Sequence, residues 1–322
     1  LTGVHHLKST SYHLILHRSR AVVAPEVMEN ELRLRSPELG IPLHWMEVGY
    51  SDVSQTDEPV IILHGLLGNS MNFNTWAKDL FNSLDTNRRI IIPDLRNHGQ
   101  SKHVSSMNYR EMMEDVLRLM DDQGIAKAEF IGHSLGGKIA AGIALCHPER
   151  VKSLAVLDIA PVKYSEEDAS WWQVDSVVDA MASLSLDTIR SRDEANELLK
   201  TKIDDPILRR FALTNIIFDS QTDTWKWRIN IHSIKKHLQS VRDYDIGQGN
   251  QNLEDLGLQY EGEVFFVSGR RSKYIGTRHL PSIAKLFPKY RMVTLKNAGH
   301  WVHSEAPEET VRYCKIFLDR GY

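Results

Sequence analysis

Residues 128–147 read AEFIGHSLGGKIAAGIALCH, and the passage through Gly132-His133-Ser134-Leu135-Gly136 decides the fold. Apolar and aromatic residues suited to a buried strand precede the serine, and an apolar stretch of helix length follows it. A Gly-x-Ser-x-Gly sequence at such a junction holds the serine in strained backbone geometry, with its hydroxyl pushed out above the sheet. Side chains two positions to either side would collide, so glycine is needed at both. The N–H of Leu135 then opens a helix, where unpaired donors and the helix dipole favour a developing oxyanion.

Working outward, strands and helices alternate. PVIILHG (Pro59 to Gly65) is a β-branched run ending in a glycine turn, as expected of a strand buried on both faces. A helical segment around Asn74 to Leu84, the strand RRIIIPDL and the helix YREMMEDVLRLMDDQG lead into the serine turn, and VKSLAVLDIAP follows its helix. Upstream, ELRLRS and IPLHWMEVG suggest two more strands separated by a Pro37 and Gly40 turn. After Pro161 the rhythm stops for about a hundred residues of helix-like sequence. It resumes with EVFFVSG, TRHLPSIAKLF, YRMVTLKNAG and a last amphipathic helix that has Pro307 in its first turn. The expected class is α/β, a mostly parallel sheet covered by helices on both faces, with a helical lid inserted between two of its strands. The expected divisions are 1–29 as a leader, 30–161 as the first part of the core, 162–260 as the lid and 261–322 as the second part of the core.

Charge and composition remove other classes. Lysine and arginine number 39 against 42 acidic residues, a net charge of −3, which argues against adhesion to nucleic acid or anionic lipid through bulk charge. No apolar run reaches the roughly 18 residues a membrane helix needs. There are 2 cysteines, Cys146 and Cys314, and no Asn-x-Ser/Thr sequon, which fits an unoxidised, unglycosylated chain in which both thiols are small buried apolar groups. Before Glu26 there is no acidic residue, while Lys8, Arg18, Arg20 and four histidines are interleaved with Ser, Thr, Leu and Ile. That composition suggests a mitochondrial targeting segment; a disordered leader on a cytoplasmic protein is the alternative.

In this fold the nucleophile is followed along the chain by the acid and then the base. Of the 15 histidines, six follow Ser134, and His300 stands directly after the strand YRMVTLKNAG, at the sheet edge where Ser134 also emerges. His303 is the runner-up, read otherwise as a helix-start or surface residue. The loop where an acid is usual reads Gly269-Arg270-Arg271-Ser272-Lys273-Tyr274 and carries no carboxylate. Asp158, at the end of LAVLDIAP, could reach the outer nitrogen of His300; Asp243, Asp245 and Asp255 are weaker alternatives. A second oxyanion donor, beside the N–H of Leu135, is expected from His64-Gly65-Leu66-Leu67-Gly68, at the N–H of Leu66. Asp94 reads as a tether for the loop carrying Arg96, His98 and Gly99, and Lys138 as a paired or solvated residue. Trp171, Trp172, Phe211, Phe218, Trp225 and Trp227 could form an acyl pocket under the lid or the lid's own core.

HGLLGNSMNF, PDLRNHGQS, GHSLGGK, LDIAPV and NAGHWVHSEAP, in that order, resemble the α/β-hydrolase branch that contains alpha/beta-hydrolase domain-containing protein 11, its bacterial small-esterase relatives and the fungal ethanol acetyltransferases. The resemblance spans about Glu31 to Asp319. It implies a serine hydrolase of acyl esters or thioesters, with the acid on the strand that maps to Asp158, and eukaryotic members of the branch are typically mitochondrial. The expected reaction passes through an acyl-enzyme on Ser134 and needs no cofactor and no metal. His13 and His17 have helical spacing but no intervening glutamate. Alcohol acyltransfer by the same residues is the close rival, and a non-catalytic binding module on a hydrolase fold is the reading from a different class.

Overall fold

The computed structural model describes residues 35–49, 58–165, 168–246 and 253–320. The expected leader at 1–29, His13 and His17 included, and most of the expected strand ELRLRS lie outside the described residues. Its last two residues, Arg35 and Ser36, lead into a 3-10 turn at Pro37–Leu39.

The order along the chain is β1 (Trp45–Val48), β2 (Val60–Leu63), α1 (Asn74–Ser83), β3 (Ile90–Pro93), α2 (Tyr109–Asp122), β4 (Ala128–His133), α3 (Leu135–Cys146) and β5 (Val151–Leu157). A segment of α4 (Ala169–Ala182), α5 (Arg192–Lys200), α6 (Pro206–Leu213), β6 (Ile216–Asp219), β7 (Thr224–Trp227) and α7 (Ile231–Asp243) comes next. The main sheet then resumes with β8 (Glu263–Gly269), α8 (Leu280–Leu286), β9 (Tyr290–Leu295), α9 (Val302–Glu305) and α10 (Pro307–Arg320). Seven strands form the main sheet in the order β1-β3-β2-β4-β5-β8-β9. β1 is antiparallel to β3, and the other pairings are parallel.

Strand alternation divides the core into two layers. Ile61, Leu63, Ile91, Phe130, Leu154 and Val156 face α2 and α3, where they meet Met112, Val116, Ile139 and Ile143. Their neighbours Val60, Ile62, Ile90, Ile92, Ile131 and Ala155 face the other way, onto Trp76 and Leu80 of α1 and Cys314 and Phe317 of α10. Helices on both faces explain why β2 reads as an unbroken apolar run, and every residue of β2 and β4 is buried, Glu129 with Arg88 as its partner. α2 begins at a reciprocal cap, in which Asn108 and Glu111 each satisfy the other's backbone N–H.

Not all of 162–260 is helical. β6 and β7 form an antiparallel hairpin with Ile216 opposite Trp227 and Phe218 opposite Trp225. Ile-Ile-Phe-Asp shows no alternation, and that of Thr-Trp-Lys-Trp over four positions is too short to stand out beside the helical periods around it. Among the described residues, no helix is long and apolar enough to cross a membrane.

Candidate active site

The carboxyl ends of β2, β4, β5 and β9 deliver the expected residues to one edge of the sheet, the edge at which doubly wound sheets bind their ligands. Ser134, between β4 and α3, has φ +52° and ψ −119°, a conformation outside the regions L residues normally adopt. Close packing of the turn enforces it. A Cβ on Gly132 would lie 2.5 Å from the carbonyl oxygen of Gly136, and one on Gly136 would lie 2.3 Å from that of Leu63. Backbone atoms on both sides leave no room to yield, so the two glycines let the serine turn sit tight against β2.

Asp158 follows β5, is 0% exposed and also has a positive φ, +52°. Its Oδ1 accepts the N–H of Gly269 at 2.9 Å, while Oδ2 accepts Nδ1–H of His300 at 2.8 Å and the hydroxyl of Ser272. A carboxylate with three donors is fully engaged without any water. Because His300 donates from Nδ1, the lone pair of its neutral ring is at Nε2. The ring is fixed from two sides: Tyr274 stacks on it at 3.9 Å and 26°, and the side chain of Glu305 accepts the backbone N–H groups of Gly299 and Trp301 that flank it. Tyr164 braces this arrangement by donating its hydroxyl to the carbonyl of Tyr274 and accepting the N–H of Ala160. Asp243 pairs with Lys163 and borders a different cavity, away from His300.

Leu66 lines the same cavity as Ser134, Leu135 follows Ser134 in the chain, and neither backbone N–H meets an acceptor among the described residues. The loop carrying Leu66 is held by two histidines. His64 accepts the N–H of Leu95 at Nε2 and donates from Nδ1 to the carbonyl of Gly65. His98 accepts the N–H of Leu67 at Nε2 and donates from Nδ1 to the carbonyl of Arg96. Each ring must be neutral to play both parts. Burial agrees, lowering the pKa of His64 and taking that of His98 down to about 3. Leu67, at φ +61°, is pinned further by Asn215, whose amide donates to its carbonyl from the segment between β5 and β8. Asp94 receives the N–H groups of Ser70 and Gln100; burial opposes its charge, yet these donors hold its carboxyl below the usual range.

A cavity of about 280 Å³ opens onto Ser134, His300 and the Leu66 loop. Val174 and Val177 of α4 and Ile207, Leu208 and Phe211 of α6 supply apolar lining, joined by Trp301. Of the aromatic residues expected to form a pocket whose side chains are described, only Phe211 lines it. Trp171 is buried against Tyr164, Trp225 packs on the half-exposed Phe218, and Trp227 leans on the core; the side chain of Trp172 lies outside the described residues. His303 is not a surface residue: it is buried on Phe73 and lines the same cavity. Lys138 is neither paired nor solvated. Its amine has no hydrogen-bond partner among the described residues and lies 4.7 and 4.9 Å from the ring centres of Tyr164 and Tyr244. No group of three or more His, Cys, Asp or Glu among the described residues is placed to hold a metal ion.

Ser272, Tyr274, Glu305, His64 and His98 escaped the sequence reading as site residues. Only Glu305 left a usable trace, a carboxylate five residues after His300 at the end of a single-turn helix, from which it reaches back to backbone N–H groups of the loop before it.

This strand order, with a serine turn leading into a helix at its centre, defines an α/β-hydrolase enzyme. The model of the alpha/beta hydrolase fold family matches residues 58–307, and the chain belongs to that family. It is 33% identical over 268 residues to the sn-1-specific diacylglycerol lipase ABHD11 of Xenopus laevis, covering 83% of this chain and 82% of that protein. It is 28% identical over 274 residues to ethanol acetyltransferase 1 of Wickerhamomyces anomalus, covering 82% of this chain and 68% of that protein. A solved structure, a marine microorganism esterase, superposes with a TM-score of 0.77 at 31% identity, covering 87% of this chain and 100% of that one. The branch read from the motifs is the branch these relatives occupy.

Proposed function

We propose that the protein hydrolyses carboxylic esters or thioesters, with Ser134 as nucleophile, His300 as base and Asp158 as the acid that orients it. The observation that carries this reading is the 2.8 Å contact between Nδ1 of His300 and a fully buried Asp158, beside a strained serine opening on the same cavity. Nε2 of His300 accepts the Ser134 proton as Oγ attacks the acyl carbon. The carbonyl π electrons move to oxygen, and the N–H groups of Leu66 and Leu135 receive that negative charge. Collapse expels the alcohol or thiol, which takes the proton back from His300 and leaves an acyl-serine. Water then adds in the same way, giving up a proton to His300, and the acid departs as Oγ recovers it. Asp158 stays ionised throughout and stabilises the imidazolium.

Among the described residues the cavity lining has no lysine or arginine and includes Glu305, so anionic substrates gain nothing there, and a neutral ester with an apolar acyl group suits it. The relatives named lipase and esterase support this chemistry. The segment between β5 and β8 acts in this reading as a lid over the acyl group. Labelling by a fluorophosphonate probe tests the nucleophile: an unlabelled Ser134 would favour a binding module, and label elsewhere would refute the assignment.

Acyltransfer to an alcohol is the second reading, favoured by the apolar wall over Ser134, which disfavours water, and by the relative named ethanol acetyltransferase. Product analysis with an acyl ester plus ethanol separates the two: free acid means hydrolysis, a new ethyl ester means transfer. The acid-poor residues 1–29 are proposed to direct the protein to mitochondria, tested by imaging fluorescent fusions with and without them.

A further inference from the structure

Three imidazoles stand in a row beside Ser134. Ring centres are 4.7 Å apart between His300 and His133, and 4.6 Å apart between His133 and His303. His300 donates to Asp158, and His133 donates from Nε2 to the carbonyl of His300 at 2.9 Å. His303 differs. It is 7% exposed, its Nδ1 is sealed off without a partner, and neither ring nitrogen makes a hydrogen bond among the described residues. Its ring lies flat on Phe73, at 4.2 Å and 19°, so it cannot swing away to find a partner without losing the stack. His303 lines the cavity, so a partner that arrives there meets the one ring nitrogen that is not sealed, Nε2, which no protein group among the described residues occupies.

The chemistry of that partner follows from the ring. Burial, reinforced by the nearby His300, pushes the His303 pKa down to about 3, so the imidazole is neutral, with one N–H and one lone pair. A proton on sealed Nδ1 would strand a buried donor, the costlier kind of orphan, so it belongs on Nε2, on the side of the ring that borders the cavity. Asn72, next in sequence to Phe73, and Ser304, next to His303, add polar lining, whereas the lining from α4 and α6 is apolar apart from Gln173. An acyl chain takes the apolar part and the alcohol portion of the ester takes the polar part.

We infer that His303 is a specificity-determining residue, donating Nε2–H to a hydroxyl oxygen on the alcohol portion of the substrate, so that the protein prefers esters of hydroxylated alcohols. This rests on the ester-hydrolase reading.

A matched pair of substrates isolates the contact: propyl butanoate and 2-hydroxyethyl butanoate have the same number of heavy atoms and differ by one hydroxyl. Wild-type kcat/KM is expected to favour the hydroxyethyl ester by about tenfold, a typical value for one good hydrogen bond. His303→Phe should lower turnover of the hydroxyethyl ester about tenfold and leave that of the propyl ester within about twofold. His303→Gln, whose amide nitrogen reaches close to where Nε2 stands, should keep most of the preference. If His303→Phe does not fold, His303→Met, of similar reach and without a donor, takes its place. Equal losses on both esters, or no preference in the wild type, would overturn the proposal. Wild-type protein that cleaves neither ester would overturn the ester-hydrolase reading beneath it, and the proposal with it.

Discussion

Ser272 donates its hydroxyl to Oδ2 of Asp158, the same oxygen that accepts Nδ1–H of His300. The β8 loop, where an acid is usual, therefore reaches the proposed base after all, through a serine bonded to a carboxylate delivered by the neighbouring strand. Two strand ends converge on one imidazole, and either could carry the charge.

Moving the carboxylate between those positions is a direct check on the acid. Asp158→Asn should lower kcat about 10⁴-fold, because the amide can present its N–H to Nδ1 and force the wrong tautomer. Adding Ser272→Asp to that variant restores a carboxylate beside the ring and should recover about a hundredfold. Steady-state kinetics on one ester decides it; a double variant no better than Asp158→Asn would mean that the Ser272 position cannot address Nδ1.

Ser134 and His300 act as a unit in the proposed mechanism, so their losses should not add. Ser134→Ala and His300→Ala are each expected to lower kcat about 10⁶-fold, and the double variant little further. Multiplying losses would show that the two side chains work independently, contrary to a shared proton transfer. Fluorophosphonate labelling should vanish in Ser134→Ala.

Much of this architecture was legible because it rests on local chemistry. The serine turn could be read since only glycine fits at 132 and 136, and His300 since a glycine turn ended the last strand at the right sheet edge. Asp158 was a candidate because it ends the strand beside the serine strand while the β8 loop contains no carboxylate, which left Asp243, Asp245 and Asp255 as weaker alternatives. The β6–β7 hairpin was not, four residues per strand being too few to establish a period. The surroundings of Lys138 and His303 were hidden for a different reason. Both are polar residues in helices whose burial depends on distant packing, the rings of Tyr164 and Tyr244 for one and of Phe73 for the other. No spacing within a helix reports what lies across from it.

The buried histidines set a pH dependence of stability. His98 and His303 are held down to about 3, and His64 and His133 are also lowered, in each case first by burial. An unfolded histidine titrates near 6.5, so below that pH the unfolded chain binds more protons than the folded one. Stability is therefore fully present above about pH 6.5 and is lost as pH falls from there toward 3. His98 and His303, held far below that pH, each contribute a loss of about 1 kcal/mol at pH 5.5. Urea unfolding at pH 7.5, 6.5 and 5.5 should show the decline, and His303→Gln should flatten it by one histidine's share. Unchanged stability across that range would mean that these rings are charged in the folded protein.

Lys138 is 2% exposed, and burial drives its amine well below the usual lysine range, only partly opposed by Asp243. Tyrosine faces offer some attraction to a cation, but they replace none of the three hydrogen bonds an ammonium makes in water. Below about pH 10 the unfolded chain binds the extra proton, so the folded state loses stability as pH falls from there toward neutrality. Lys138→Met keeps the length, fits among the rings and removes that cost, and it should raise stability at pH 7 by about 1–4 kcal/mol. Thermal unfolding at pH 7 and pH 9.5 reads both consequences, a higher midpoint for the variant and a smaller pH difference than in the wild type. A lower midpoint for Lys138→Met at pH 7 would show that the tyrosine cage holds a stabilising charge, and the amine would then have to be counted among the groups that anchor the start of α3 beneath Ser134.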